Sequence, residues 1–207
     1  MFHTPTPRSS LTGADPNQRQ AFTLIELLVV VAVIGILAGI TFGIASSVRN
    51  AQNRAKAKAE LAVIAQGLEA FKAAHGDYPW VSEDPGELGL SLLGWKEFTG
   101  TGADREFETK DSVPTNGPQA FLDPAKFVLS EASVLPEDPT QEPTVEFLDP
   151  WGEPYVYAYK DGPTSDWDSF SYLLFSKGPD GEAEDIPTDG VLETPSGTDV
   201  DNIYEGK

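Results

Sequence analysis

A single carboxylate, Glu26, stands near the start of a long apolar run. Residues 27–44 are 18 consecutive uncharged residues, rich in Val, Ile, Leu and Ala. An ionised carboxylate is costly in hydrocarbon unless a cation pairs with it. Glu26 is therefore predicted either to meet a cationic partner in an assembly or to lie at the depth of the lipid headgroups, where water solvates it.

Oxygen-bearing side chains gather near the C-terminus, in the stretches S-K-G-P-D-G (176–181) and S-G-T-D-V-D-N-I (196–203). Ca²⁺ prefers about six to eight oxygen ligands from carboxylates, amides and backbone carbonyls. The side chains that offer such oxygens are Asp180, Asp199, Asp201 and Asn202. Their spacing is not that of an EF-hand. From the residues alone, a calcium site and a set of solvated turn aspartates both remain open.

Few other reactive side chains are present. The 207-residue sequence has no cysteine and only two histidines, His3 and His75. Disulfides, zinc sites of the usual type and Ser-His or Cys-His nucleophiles are therefore not expected. Paired carboxylates could serve a membrane-anchored carbohydrate-active enzyme, but no motif in the sequence indicates a cleft.

Charge is distributed unevenly along the chain. The net charge is −19, and residues 76–207, with seven basic and 29 acidic side chains, contribute −22. Residues 22–75 carry five basic and three acidic side chains, a net +2. So acidic a C-terminal region argues against nucleic-acid binding, which needs a basic surface, and favours cations as ligands.

The elements that position these residues begin with one predicted continuous helix. Residues 22–45 are long and apolar enough to span a membrane at about 1.5 Å rise per residue. Residues 46–75 form the amphipathic part, because apolar residues recur there at three- and four-residue spacing. Gly76 and Pro79 end the helix. The apolar positions are Leu61, Ile64, Ala65, Leu68 and Phe71.

The region 76–207 is predicted to form an acidic globular head. Within it, residues 82–146 are rich in Pro, Gly, Asp and Glu and lack periodicity, which indicates a variable insertion of undefined structure. Alternating segments at 155–159 and 169–176 predict an antiparallel hairpin that covers the amphipathic half of the helix.

The stretch A-F-T-L-I-E-L-L-V-V-V (21–31) resembles the prepilin signal of type IV pilins and type II secretion pseudopilins. The resemblance implies that a prepilin peptidase cleaves between Ala21 and Phe22, so that residues 1–21 are a cytoplasmic leader, and that the new amine of Phe22 is methylated. It also implies that Glu26 directs assembly by pairing with the amine of an adjacent copy. Ala21 replaces the usual Gly before the cut, and because Ala is also small we expect cleavage to persist.

Two further motifs, D-P-W-G-E-P-Y (149–155) and S-K-G-P-D-G (176–181), resemble the major pseudopilin of type II secretion. They resemble adhesive pilins less, since the C-terminal region of those is usually closed by a disulfide. The resemblance implies an α+β fold, with a long N-terminal helix, transmembrane in its lower half, packed against a small antiparallel β-sheet. It also implies that calcium replaces the disulfide. The implied ligands are Asp180, Asp199, Asp201 and Asn202.

The resulting prediction is a structural pseudopilin, not an enzyme, that polymerises into an envelope-spanning filament for type II protein secretion. Its expected partners are other copies of the chain, minor pseudopilins, the prepilin peptidase, the inner-membrane assembly platform and membrane lipid, without nucleic acid. Its expected location is the bacterial inner membrane, with a cytoplasmic N-terminus and a periplasmic head. The alternatives are a type IV pilus subunit for adhesion, uptake or motility, and the membrane-anchored carbohydrate-active enzyme.

Overall fold

A computed structural model describes most of the chain from residue 22 onward. The described residues are 22–81, 84–110, 119–131, 144–163, 165–183, 187, 189–191 and 201–205, with the backbone alone for 40–46. The predicted leader, residues 1–21, and the predicted calcium ligand Asp199 lie outside them. The chain divides into two compact units, Met1–Ser46 and Ser47–Lys207.

The first unit contributes the beginning of helix α1 (Leu24–His75). Every described side chain from Phe22 to Gly39 is exposed to solvent. Within the described part of the chain, no helix is both long enough and apolar enough to cross a membrane. Membrane insertion of residues 22–45 therefore rests on the sequence and stays a prediction.

The second unit contains the amphipathic half of α1, and its predicted apolar face is confirmed. All five apolar positions, from Leu61 to Phe71, are buried. The helix ends at His75 because Gly76 adopts a positive φ of 84°, and its amide donates to the Lys72 carbonyl at 2.7 Å. A left-handed glycine directly after the last turn is a common helix stop.

Parts of the predicted variable insertion are ordered. Helix α2 (Pro85–Leu92) is capped by Asp84, whose side chain accepts a hydrogen bond from the Gly86 amide. Strands β1 (Lys96–Thr99) and β2 (Glu106–Thr109) follow as an antiparallel pair. Several of these residues lie in the main hydrophobic core. The described part of residues 82–146 therefore contributes to the core of the head. Its core members include Leu88, Leu90, Leu92, Leu93 and Trp95.

Two more antiparallel sheets complete the α+β head. The first pairs β3 (Val128–Leu129) with β4 (Phe147–Leu148). The second has the order β5-β6-β7, formed by β5 (Val156–Ala158), β6 (Leu173–Ser176) and β7 (Ile203–Tyr204). The predicted hairpin is confirmed as β5 and β6, in which Tyr157 lies opposite Leu174. Strand β7 was not predicted from the sequence.

Candidate functional site: the first turn of α1 and the anchors of the head

The first turn of α1 is closed by three hydrogen bonds between Thr23 and Glu26, which run in both directions. The Glu26 carboxylate accepts from the Thr23 amide at 2.9 Å and from the Thr23 hydroxyl at 2.8 Å. The Thr23 hydroxyl in turn accepts from the Glu26 amide at 3.3 Å. This arrangement is a capping box, and it satisfies amides that have no partner within the helix. The spacing T-x-x-E made it readable from the sequence, but Thr23 was missed.

Glu26 therefore already has a polar partner, Thr23, within its own chain. Phe22 directly precedes the box and is 87% exposed. Proximity to the positive end of the helix dipole also favours a carboxylate at this position. The geometry leaves the carboxylate accessible to a cation that approaches from outside the helix.

The apolar side chains around this box have no cover in the described structure. Exposed fractions of the large apolar side chains between Phe22 and Leu37 range from 87% at Phe22 to 50% at Val33. A contiguous apolar surface of this kind marks a site that contacts other proteins or lipid. One shallow groove follows a single face of the helix. It is lined by Leu24, Leu27, Leu28, Val31 and Ala32.

The predicted calcium ligands are only partly described. Asp180 is exposed, and its side chain accepts a hydrogen bond from the Glu182 amide at 3.0 Å. Asp201 packs against Gly178, because a Cβ at Gly178 would lie 2.5 Å from the Asp201 carbonyl and 3.3 Å from its Oδ2. The pairing of Ser176 with Ile203 between β6 and β7 brings the two predicted stretches together.

Asn202 is half-buried beside Tyr204, with its Nδ2 3.5 Å from the tyrosine hydroxyl. Among the described residues, no group of three or more His, Asp or Glu side chains is placed to hold a metal ion. Asp199 falls outside those residues. Calcium binding by the four predicted ligands therefore stays a prediction.

A different carboxylate, Asp149, organises this end of the head, and the sequence reasoning missed it. Asp149 is only 3% exposed. One of its oxygens accepts from the amides of residues 151, 152 and 153 at 2.9–3.0 Å. The other accepts from the Ser176 hydroxyl at the end of β6. The D-P-W-G motif thus forms a turn whose first residue ties it to the S-K-G-P-D-G stretch.

The last residue of the same motif, Tyr155, joins the head to α1. Its hydroxyl donates to the buried Glu60 carboxylate at 2.7 Å, and Lys56 approaches the other oxygen of Glu60 at 3.5 Å. Burial, followed by the hydrogen bond to Glu60 and its charge, raises the pKa of Tyr155 far above the ordinary value. The tyrosine therefore remains a neutral hydrogen-bond donor at all ordinary pH values.

A second anchor, the Asp77 cluster, holds the C-terminal end of α1. We use this name for Asp77, Trp80, Arg105, Tyr159 and Lys160. One oxygen of Asp77 accepts from the Tyr159 hydroxyl at 3.0 Å. The other accepts from the Trp80 indole at 3.1 Å and from the Lys160 ammonium at 2.7 Å. Arg105 lies 3.8 Å from the same oxygen and donates to the His75 carbonyl at 2.9 Å.

The charge state of Asp77 follows from these contacts. Burial by itself would raise the pKa of Asp77. Hydrogen bonds from Lys160, Trp80 and Tyr159, with the charge of Lys160, outweigh burial and hold the pKa below its ordinary value. The Asp77 anion pairs with Lys160 and lies near Arg105, which itself donates to the last turn of α1, so the cluster fixes the helix end to the head.

Comparison with known proteins identifies one segment. Residues 16–42 match the family model of the prokaryotic N-terminal methylation motif. No curated protein and no solved structure gives a match. The matched segment contains Ala21, Phe22 and the Thr23–Glu26 capping box. The prepilin-type methylation motif at the start of a helix that enters an α+β head supports a type IV pilin-like protein.

Proposed function

We propose that the protein is a structural pseudopilin, not an enzyme, which polymerises into an envelope-spanning filament for type II protein secretion. The observation that carries this proposal is the methylation motif over residues 16–42, which contains a run of exposed apolar side chains from Phe22 to Leu37. In the proposed function, lipid covers this apolar surface before assembly. The parallel helices of neighbouring copies cover it in the filament.

The chemistry of assembly starts with proteolysis. Hydrolysis between Ala21 and Phe22 leaves a carboxylate on Ala21 and a free amine on Phe22, which keeps its positive charge after methylation. In the proposed filament this amine reaches Glu26 of an adjacent copy. The capping box holds the Glu26 carboxylate in place until then, so that the incoming cation displaces or shares the Thr23 contact.

The proposed location follows from the same segment. Residues 22–45 would cross the inner membrane with the N-terminus in the cytoplasm, and the head would face the periplasm. Partners would be further copies, minor pseudopilins, the prepilin peptidase, the inner-membrane assembly platform and lipid. The strongly acidic head, which carries −22 over residues 76–207, argues against nucleic acid as a partner.

A type IV pilus subunit shares the methylation motif and is the competing proposal. The D-P-W-G-E-P-Y motif supports the pseudopilin, because it resembles the major pseudopilin of type II secretion more than an adhesive pilin. The sequence also has no cysteine for the disulfide of adhesive pilins. The carbohydrate-active enzyme has no observation in its favour.

Deletion of the gene in the source organism distinguishes the two proposals. For a pseudopilin, secreted proteins accumulate in the periplasm while surface pili and pilus-dependent motility persist. Normal secretion with loss of surface pili would establish the pilus subunit instead. Intact-mass measurement on the assembled protein provides the second check, with an expected N-terminus at methylated Phe22. Retention of residues 1–21 in filaments would contradict the processing step.

Calcium is the proposed cofactor of the head, with ligands Asp180, Asp199, Asp201 and Asn202. The close packing of Asp201 on Gly178 supports a shared loop. An ion that binds only the folded state stabilises it by about 2.7 kcal/mol at a hundredfold excess over the dissociation constant. The melting temperature should therefore be higher in millimolar calcium than in chelator, and magnesium should act more weakly.

The matched variants for this test are Asp180→Ala and Glu182→Ala, two exposed residues on the same turn. We expect Asp180→Ala to remove the calcium response and Glu182→Ala to keep it. Equal melting temperatures of the wild-type protein in calcium and in chelator would show that the four residues bind no calcium and are solvated turn residues.

A further inference from the structure

The segment of α1 over residues 49–58 carries only positive charge. No acidic residue occurs in residues 27–59. Lys56 approaches Glu60 at 3.5 Å, yet the side chains of all four basic residues remain exposed. We call this stretch the basic segment. Its cations are Arg49, Arg54, Lys56 and Lys58.

The outer face of the β1–β2 hairpin carries the opposite charge. Glu97 lies directly across from Glu108, and Thr99 across from Glu106. Asp104 lies in the exposed connection between the strands. We call this surface the acidic hairpin face. Glu106 and Glu108 are both exposed.

The acidic hairpin face repels itself in the single copy. Like charges directly opposite one another destabilise a strand pair. The hydrogen bond to Glu108 and the charge of Glu108 raise the pKa of Glu106. Among the described residues, no cation forms an ion pair with the four carboxylates of this face. A cationic partner would relieve the repulsion.

The basic segment of the same copy is too distant to be that partner. On its inner face the hairpin packs against Phe71, with ring centroids of Phe98 and Phe107 at 6.2 and 6.1 Å. Arg54 lies 17 residues before Phe71 on the same helix, a distance of about 25 Å at about 1.5 Å per residue. Salt at physiological strength screens exposed charges beyond about 8 Å. The basic segment and the acidic hairpin face of one molecule are therefore too far apart to form ion pairs with each other.

We propose that the basic segment of one copy binds the acidic hairpin face of a neighbouring copy. The proposal rests on the polymerisation proposed above and adds a contact surface to it. A displacement of about 25 Å along the helix axis between two parallel copies sets the two surfaces opposite each other. Each subunit inside a polymer then uses its basic segment toward one neighbour and its acidic face toward another, which is a heterologous, repeating contact.

The contribution of this contact is to select the register of assembly. Single exposed ion pairs contribute little to stability. A much smaller displacement, however, sets the acidic face beside the neighbour's own −22 head, and like-charge juxtaposition is strongly unfavourable. The contact therefore excludes wrong registers more than it strengthens the right one.

Cysteine cross-linking tests the contact directly, since the natural sequence has no cysteine. The full chain carrying Glu106→Cys is co-expressed with the full chain carrying Arg49→Cys or Arg54→Cys, and the membranes are oxidised. We expect a mixed disulfide dimer from at least one of the two combinations. Each variant expressed alone, and Glu106→Cys with Lys126→Cys, an exposed cation elsewhere on the head, should give none. Absence of the mixed dimer overturns the proposal.

Charge reversal gives the functional readout. The double variants Glu106→Lys/Glu108→Lys and Arg49→Glu/Arg54→Glu should each lower the filament yield by about tenfold or more, because repulsion replaces attraction. Combination of the two should restore most of the yield. The matched control is Glu131→Lys/Glu182→Lys, which changes the charge of exposed residues off the hairpin by the same amount and should assemble normally.

The outcomes separate this proposal from the proposed function. Filaments from the wild type that are unaffected by either reversal overturn the contact and leave polymerisation intact. Loss on reversal of the basic segment alone, with no cross-link, overturns it in favour of lipid phosphates as the partner of that segment. A mixed disulfide in a protein that forms no filaments supports the contact and contradicts the pseudopilin.

Discussion

The first turn of α1 is stabilised by contacts between near neighbours in the sequence, and the last turn by residues from distant parts of the chain. At the first turn, Thr23 and Glu26 satisfy each other across three residues. At the last turn, Asp77 and the His75 carbonyl are satisfied by Arg105, Tyr159 and Lys160, from distant parts of the chain. A local cap can exchange partners without disturbing the head, whereas the distant anchors cannot be released without loosening it. The first turn thus fits the proposed role in assembly, whereas the last turn fixes the end of the helix to the head.

The largest expected effect on stability comes from Asp77→Ala. The substitution leaves Lys160 and Arg105 without their anion and the indole of Trp80 without its acceptor, so we expect a loss of about 3 kcal/mol in the free energy of unfolding. Chemical denaturation of the processed protein in detergent measures it. Asp161→Ala, at an exposed position next to Lys160, should change the value by less than about 0.5 kcal/mol. Equal losses in the two variants would show that the Asp77 cluster anchors nothing.

The same carboxylate predicts a dependence on pH. Because the pKa of Asp77 is lowered from 3.8, its contribution is fully present above pH 3.8 and is lost as the pH falls through the lowered value. The difference between wild type and Asp77→Ala should therefore shrink in strong acid.

The next largest loss of stability should come from removal of the contact between Tyr155 and Glu60 in the middle of α1. Tyr155→Phe removes the hydroxyl that donates to Glu60 and leaves a buried carboxylate with one contact fewer. We expect a loss of about 1–2 kcal/mol in the same denaturation experiment. Tyr172→Phe is the control, since its hydroxyl makes no hydrogen bond with the described residues. If only Tyr172→Phe lowered the free energy of unfolding, the hydrogen bond from Tyr155 to Glu60 would not anchor the head to α1.

A smaller effect should come from His75, in the last turn. Burial, followed by the charges of Lys110 and Arg105, lowers the pKa of His75 below 6.5, against an opposing contribution from Glu97. The unfolded chain then binds the proton more readily, so stability falls as the pH drops below 6.5 toward the lowered value. His75→Phe should flatten this part of the pH profile and keep the ring packing on Phe71. An unchanged slope would contradict the assignment.

The first turn should show the smallest effect on folding, together with a clear effect on assembly. Glu26→Gln should leave the free energy of unfolding of the head within about 0.5 kcal/mol of wild type, because the hydrogen bonds of the box join only Thr23 and Glu26. Filament growth should be blocked or retarded, since the neutral amide cannot pair with the Phe22 amine. Thr23→Ser, which keeps the box, is the matched control. Assembly of Glu26→Gln at the wild-type rate would show that the Glu26 carboxylate has no role in filament growth.

The sequence predicted the features that depend on local pattern. The apolar spacing from Leu61 to Phe71 marked the buried face of α1, and Gly76 marked its end. The alternation around Tyr157 and Leu174 marked the β5–β6 hairpin. Each of these depends on a period of two or about four residues, which one segment displays by itself.

The contacts that hold these elements together could not be predicted in this way. Asp149 looked like one aspartate among many, because nothing near it in the sequence shows that Ser176 will reach its second oxygen. Strands β1 and β2 each have one Phe among charged residues and Thr, so their alternation does not stand out in an acidic, Pro- and Gly-rich stretch. The predicted leader and the predicted calcium ligand Asp199 lie outside the described residues, so both stay predictions.

The long sequence separation of the anchors also has a consequence for the speed of folding. The hydrogen bond from Tyr155 to Glu60 closes a loop of 95 residues, and that from Tyr159 to Asp77 a loop of 82. Folding slows as contacting residues lie farther apart along the chain, whereas an isolated helix forms in about a microsecond. Helix α1 can therefore form well before the head that covers its apolar face. During that interval the nascent protein presents Leu61, Leu68 and Phe71 to its surroundings, and its risk of aggregation is greatest then.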